Sequence, residues 1–259
     1  MFIDIHSHLH DSAFDADRSE VLSHMREGSV GTITIGTDIA ASRSAVELAE
    51  SEDNVWASVG IHPHDNRTEV FDESTLRNLV LSKKVVAIGE CGLDYFGDID
   101  EEEKKRQQNL FEEHIDLALD RELPLMLHVR DAYEDVLAIL EVRAREEGNR
   151  IRGNVHFFAG DTGVAKRFFD IGFSISFTGV ITFTHDYDDV IRFSPSDMMM
   201  AETDAPYVAP VPFRGKRNEP LYVKEIYKKI AVIRETSEDN MRKIINKNVE
   251  HIFGITVSP

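Results

Sequence analysis

The chain has 259 residues, 42% of them hydrophobic, and a formal net charge of −18. That apolar content supplies a sizeable core and excludes a mainly disordered chain, while no apolar run approaches the roughly 20 residues that span a bilayer. The charge excludes nucleic-acid binding through a broad basic face, though not a site in which divalent cations and a local basic patch hold phosphate.

The first predicted strand, Phe2–His6, lies in MFIDIHSH, which lacks the basic-then-apolar layout of a signal peptide. With Cys91 as the single cysteine, this leads us to expect a cytoplasmic protein with no membrane contact. A helix near Asp17–Glu27 follows, then a strand at Gly31–Gly36 and a helix at Ala40–Ser51. The alternation continues with Val55–His62 and Ser74–Leu81, Val85–Glu90 and Glu101–Arg121, then Pro124–His128 and Ala132–Glu146. Strands at Asn154–Phe158, Phe173–Phe177 and Met198–Glu202 alternate with helices at Gly163–Asp170 and Asp186–Phe193. Helices at Pro220–Arg234 and Ser237–Phe253 end the pattern, the last opened by Ser237 and stopped by Gly254. Eight strands alternating with helices predict a parallel (β/α)₈ TIM barrel. No Pro/Gly/Ser linker or tandem repeat divides the chain, so residues 1–259 are expected to form one domain.

Ligand-type side chains recur at the predicted strand ends: His6 and His8, Glu90, His128, His156 and Asp204. A barrel gathers its chemistry from the carboxyl ends of its strands, and imidazoles and carboxylates are ordinary ligands for divalent metals. His6 and His8, at i and i+2 of an extended segment, share a face and grip one ion. Glu90, flanked by glycines in AIGECGLDY, has two oxygens with which to bridge two cations. His128 and His156 complete the second ion, and Asp204 approaches the first ion or its water, where it serves as base. The chemistry implied is hydrolysis by activated water, with Glu90 and Asp204 as the catalytic carboxylates. Ligands of mixed nitrogen and oxygen type accept magnesium, manganese, zinc or iron.

These blocks together resemble the TatD family of metal-dependent deoxyribonucleases, among the amidohydrolase-type barrels. The resemblance rests on DIHSHLH at the start, GIHPH at 60–64, GECGLDY at 89–95, LHVRDA at 127–132, VHFFAG at 155–160, ETDAPY at 202–207 and RNEP at 217–220. It implies a distorted TIM barrel and two divalent ions, usually magnesium. His6, His8 and Asp204 would hold one, His128 and His156 the other, with Glu90 between. It also implies removal of nucleotides from DNA ends, with single-stranded DNA or 3′ ends as substrate. The chain departs from the family at Phe157 and Ala159, where relatives often carry a cysteine and a small polar residue; this makes the pocket wall more apolar.

Substrate contacts are expected from His62 and His64, which share a face in GIHPH, and from Arg130, placed to hold a phosphate bidentately. Asp94 is expected to orient a ligand histidine. Phe213-Arg214-Gly215-Lys216-Arg217 forms the clearest basic patch in the acidic chain, with Tyr207 nearby, and its Arg214, Lys216 and Arg217 suit a phosphate backbone. Cys91 is expected to pack beside the site. The leading reading is a 3′–5′ exonuclease acting on DNA as a monomer with no obligate protein partner. The alternative is an amide, ester or lactone hydrolase acting on a small molecule, because similar barrels host many reactions. A metal-binding scaffold without turnover is a third reading, opposed by the intact ligand set.

Overall fold

Strands buried on both faces read as near-continuous apolar runs, and the runs of this chain have that character. In the computed structural model, which describes residues 1–64 and 69–256, they form eight parallel strands. These are β1 (Phe2–Ser7), β2 (Val30–Ile35), β3 (Val55–Val59), β4 (Val85–Asp94), β5 (Leu125–Arg130), β6 (Gly153–Val155), β7 (Phe173–Phe177) and β8 (Met199–Ala201). They pair in sequence order, β1 to β8, in one sheet. A bridge between Ser7 and Ala205 joins the two edges, with His8 N donating to Ala205 O at 2.7 Å and Asp204 N to His6 O at 2.9 Å. The result is the expected TIM barrel.

The helices are α1 (Arg18–Glu27), α2 (Ile39–Ser51), α3 (Glu73–Leu79), α4 (Glu101–Arg121), α5 (Tyr133–Glu147), α6 (Thr162–Asp170), α7 (Asp188–Phe193), α8 (Val223–Ile233) and α9 (Glu238–Phe253). In α4 the buried residues Gln107, Leu110, Phe111, His114, Ile115 and Ala118 recur at the three- and four-residue spacing of one helix face. Side-chain oxygens of Asp38, Asp72, Asp100, Asp161 and Ser237 accept the orphan N–H groups that open α2, α3, α4, α6 and α9. No described helix is long and apolar enough to cross a membrane.

Three strand ends differ from the sequence expectation by three or more residues. β4 runs four residues past Glu90, to Asp94, so Glu90 lies within the strand rather than at its close. Two glycines permit this: a Cβ on Gly89 (φ 143°) would lie 2.3 Å from Met126 O, and one on Gly92 (φ 132°) 2.2 Å from His128 O. Without side chains there, β4 approaches the β5 backbone closely and carries Glu90 into the barrel mouth. β3 stops at Val59 and β6 at Val155, short of the expected His62 and Phe158. At the latter end Phe157 takes φ 43°, and its N–H turns away from the ladder to Glu202.

A candidate metal centre

His6 in β1, His8 just beyond it, Glu90 in β4, His128 in β5, His156 after β6 and Asp204 after β8 converge at one end of the barrel. The two oxygens of Glu90 face different partners. Oε2 lies 3.4 Å from His6 Nε2 and 3.9 Å from His8 Nε2, while Asp204 Oδ1 lies 3.8 and 3.5 Å from the same two nitrogens. Oε1 lies 2.9 Å from both His128 Nδ1 and His156 Nε2, and 3.7 Å from His62 Nε2. His6 and His8 with Asp204 thus lie on the Oε2 side of Glu90 and His128 with His156 on the Oε1 side, while the His6 and His156 rings stack across the two groups at 3.9 Å.

Burial alone would push the Glu90 carboxyl up, but the imidazoles of His156 and His6 and the hydrogen bonds from His128 and His156 hold it well below the usual carboxylate range. Burial likewise opposes charge on His156, yet Glu90 and Glu202 drive its pKa well up. The cluster therefore demands positive charge beside Glu90. His6 adds a second sign: both of its ring nitrogens are buried without a hydrogen-bond partner. Orphaned lone pairs around a buried carboxylate fit divalent cations, and groups of His6, His8 and Glu90, or His62, Glu90 and His128, bring ligand atoms within 4.8 Å of one another.

The outer partners fix these side chains. Asp94 Oδ2 lies 3.0 Å from His128 Nε2, which meets the expectation that Asp94 orients a ligand-type histidine. Gln107 in α4 holds the Asp94 backbone through bonds of 2.8 and 3.0 Å. Asp204 adopts φ 56°, an uncommon region for a non-glycine residue. It is held there by its neighbours: Thr203 N and Oγ1 donate to the wholly buried Asp4 at 2.8 and 2.6 Å. Asn218 Nδ2 donates to Thr203 O at 2.9 Å and Tyr207 O at 2.6 Å. Burial raises the Asp4 carboxyl well above its ordinary value. Asp4, Glu202 and Asn218 were given no role in the sequence reading; the signal for Asp4 was its place two residues before His6, on the same strand face.

A cleft of about 810 Å³ opens over the cluster, lined in part by His10, Thr37, Asp38, His62, Arg130, Phe157, Ala159 and Tyr207. Burial lowers the His62 pKa to about 3 and that of His10 to about 4, so both rings are neutral. Arg130 lines the cleft with its guanidinium 3.5 Å above the Phe96 ring, and no other described Lys or Arg lines it. His64 does not line it; its N–H donates to His62 Nδ1 at 3.2 Å.

The basic patch is placed differently from the sequence expectation. Both terminal nitrogens of Arg217 bind Asp17, at 2.8 and 2.6 Å, making it a brace to the start of α1. Phe213 stacks on Tyr222 at 3.8 Å, and Arg214 lies 3.5 Å above Phe183. Neither these residues nor Lys216 line the cleft. Cys91 is buried, and burial pushes its thiol well up, as suits a packing role.

A TIM barrel with this cluster at its mouth is the architecture of a metal-dependent hydrolase. Residues 3–254 match the family described as TatD related DNase, and the chain belongs to that family. It is 37% identical to the uncharacterized metal-dependent hydrolase YabD of Bacillus subtilis, over 98% of this chain and 100% of that one. It is 31% identical to the 3′-5′ ssDNA/RNA exonuclease TatD of Pantoea ananatis, over 97% of this chain and 99% of that one. The crystal structure of YJJV, a TatD homolog from Escherichia coli, superposes with a TM-score of 0.89 at 29% identity, covering 98% of each chain.

Proposed function

We propose that this chain is a phosphodiesterase that shortens single-stranded DNA from its 3′ end, using two divalent ions, with magnesium expected. The observation that carries the two-ion reading is the division of Glu90, whose Oε2 faces His6 and His8 while Oε1 faces His128 and His156. When bound, the ions supply Lewis-acid activation of the phosphoryl group and acidification of water. His6, His8 and Asp204 would hold one ion, and His128 and His156 the other.

The chain's own residues perform the rest. Asp204, with its carboxyl held below the usual range by its bond to His8 against the cost of burial, is ionised and accepts the proton of the attacking water. Arg130, stiffened on Phe96, meets a phosphate oxygen with its free N–H edge, and neutral His62 borders the same space. The exonuclease name of the Pantoea relative supports nucleic acid as substrate.

The test is the product ladder of purified protein with 5′-labelled single-stranded, 3′-recessed and 3′-blocked oligonucleotides, in magnesium, manganese or zinc, beside a panel of carboxyl esters and lactones. Stepwise loss from a free 3′ end is expected. Ester or lactone turnover without nucleotide release would overturn the reading.

A further inference from the structure

We propose that Glu202 is a positioning residue shared by both halves of the centre: a single carboxylate behind the His6 and His156 rings that turns their Nε2 atoms toward opposite oxygens of Glu90. The inference rests on the metal-dependent reading above, but not on the identity of the substrate.

Glu202 directly follows β8 and is wholly buried. It does not line the cleft. Its Oε1 accepts from Phe157 N at 2.6 Å and its Oε2 from Ser176 Oγ at 2.7 Å. Ser176 is held in turn by Asn154 Nδ2 at 2.7 Å, and Asn154 Oδ1 accepts from Ser174 Oγ at 2.9 Å. The carboxylate is thus held by polar groups of β7 and the turn after β6, backed by Asn154 of β6. Each carboxylate oxygen has two acceptor sites, so acceptor capacity remains on the side that faces the rings.

Those rings are the stacked pair of the site. His6 and His156 lie 3.9 Å apart at 14°. His156 Nδ1 is 3.5 Å from Glu202 Oε1, and nitrogens of both rings lie with a Glu202 oxygen inside a group spanning at most 4.8 Å. His156 Nδ1 and both nitrogens of His6 are buried without a hydrogen-bond partner. On the opposite side His6 Nε2 meets Glu90 Oε2 at 3.4 Å and His156 Nε2 meets Oε1 at 2.9 Å.

A neutral imidazole offers one lone pair. Its position is set by the partner of the other nitrogen. An anion behind the rings draws the proton to the rear nitrogen and leaves the Nε2 lone pair forward, on the side of Glu90. It also makes the ring a stronger donor to a cation. Because the two rings serve different oxygens of Glu90, loss of the one carboxylate weakens both positions together. Asp94 does the corresponding work for His128 alone, at 3.0 Å.

The experiment compares wild-type, Glu202→Gln and Glu202→Asp proteins by calorimetric titration with manganese, without nucleic acid, alongside circular dichroism and thermal melting. Long-range ¹H–¹⁵N spectra of the zinc-loaded wild type report the histidine tautomers. Two manganese sites are expected in the wild type, both weakened about 10- to 100-fold in Glu202→Gln, with partial recovery in Glu202→Asp. Both His6 and His156 should carry the proton on Nδ1. Wild-type affinity in a folded Glu202→Gln protein, weakening of one site alone, or an Nε2–H tautomer on either ring overturns the proposal. The tautomer spectra decide it even where the variants fail to fold. A protein that binds two ions in this way but releases no nucleotides would sink the nuclease reading and leave Glu202 in its role.

Discussion

Asp204 combines three properties that a base beside activated water needs: it is ionised, it points at His6 and His8, and its backbone is held in an uncommon conformation by its neighbours. Asp204→Asn keeps the shape and removes the proton acceptor. We expect kcat to fall by about 10²-fold or more with a nearly unchanged melting temperature. Nuclease activity equal to wild type in this variant would mean a contaminant. For Arg130 the proposed role is in binding. Arg130→Ala should raise KM for DNA about tenfold, roughly 1.4 kcal/mol, and Arg130→Lys should recover little, because lysine lacks the planar fork that stacks on Phe96. An unchanged KM would remove Arg130 from the phosphate contact. At this scale the sequence was highly informative. A histidine or acid at a strand end carries its chemistry in its identity, and the i, i+2 spacing of His6 and His8 already implied a shared face. Asp4 and Glu202 stood in the same motifs, but their work lies behind the ligand-type residues, where sequence position carries no sign of contact.

Among the elements, β4 shows how backbone sterics set the site. Gly92→Ala places a methyl 2.2 Å from His128 O at a φ of 132°, a conformation closed to most side chains. We expect a loss of about 3 kcal/mol or more in denaturant unfolding, with metal binding weakened because His128 shifts. A melting curve like the wild type would show that β4 and β5 can separate at no cost. The loop after β8 offers the opposite lesson. Arg217 pairs with Asp17, Asn218 holds Thr203 and Tyr207, and Glu219 pairs with His24 at 3.0 Å. RNEP is therefore a fastening that ties the Asp204 turn to α1. Arg217→Ala should lower the thermal midpoint and leave KM for DNA unchanged; a selective rise in KM would restore it to the phosphate path. Its charge was legible in the sequence, but not its partner two hundred residues away.

For the whole molecule, His114 links stability to pH. It lies buried in α4, with Nδ1 donating to Leu110 O at 2.7 Å and Nε2 accepting from Ile61 N at 2.9 Å, so it ties the helix to the segment that carries His62. Burial lowers its pKa from the ordinary 6.5 to about 4. The unfolded chain therefore takes up a proton near pH 6.5 that the folded chain refuses until about pH 4. Its contribution is complete above pH 6.5 and is lost as pH falls toward 4, amounting to about 3 kcal/mol. Urea unfolding between pH 7 and 4 should show this loss, and His114→Gln should flatten that part of the profile. Equal slopes in the two proteins would assign the acid sensitivity to other groups.

The sequence by itself determined the barrel and the identity of the ligand-type residues. Both rest on local regularities: the alternation of apolar strand and amphipathic helix, and the repeated placement of histidines and acids at the ends or near-ends of strands. Tertiary structure alone decided which oxygen of Glu90 meets which imidazole, that Glu202 stands beside the His156 ring, and that Arg217 is spent on Asp17. These are distances between segments far apart in the chain. They are fixed by barrel closure, strand register and the close approach of β4 to β5, none of which any one stretch of sequence contains.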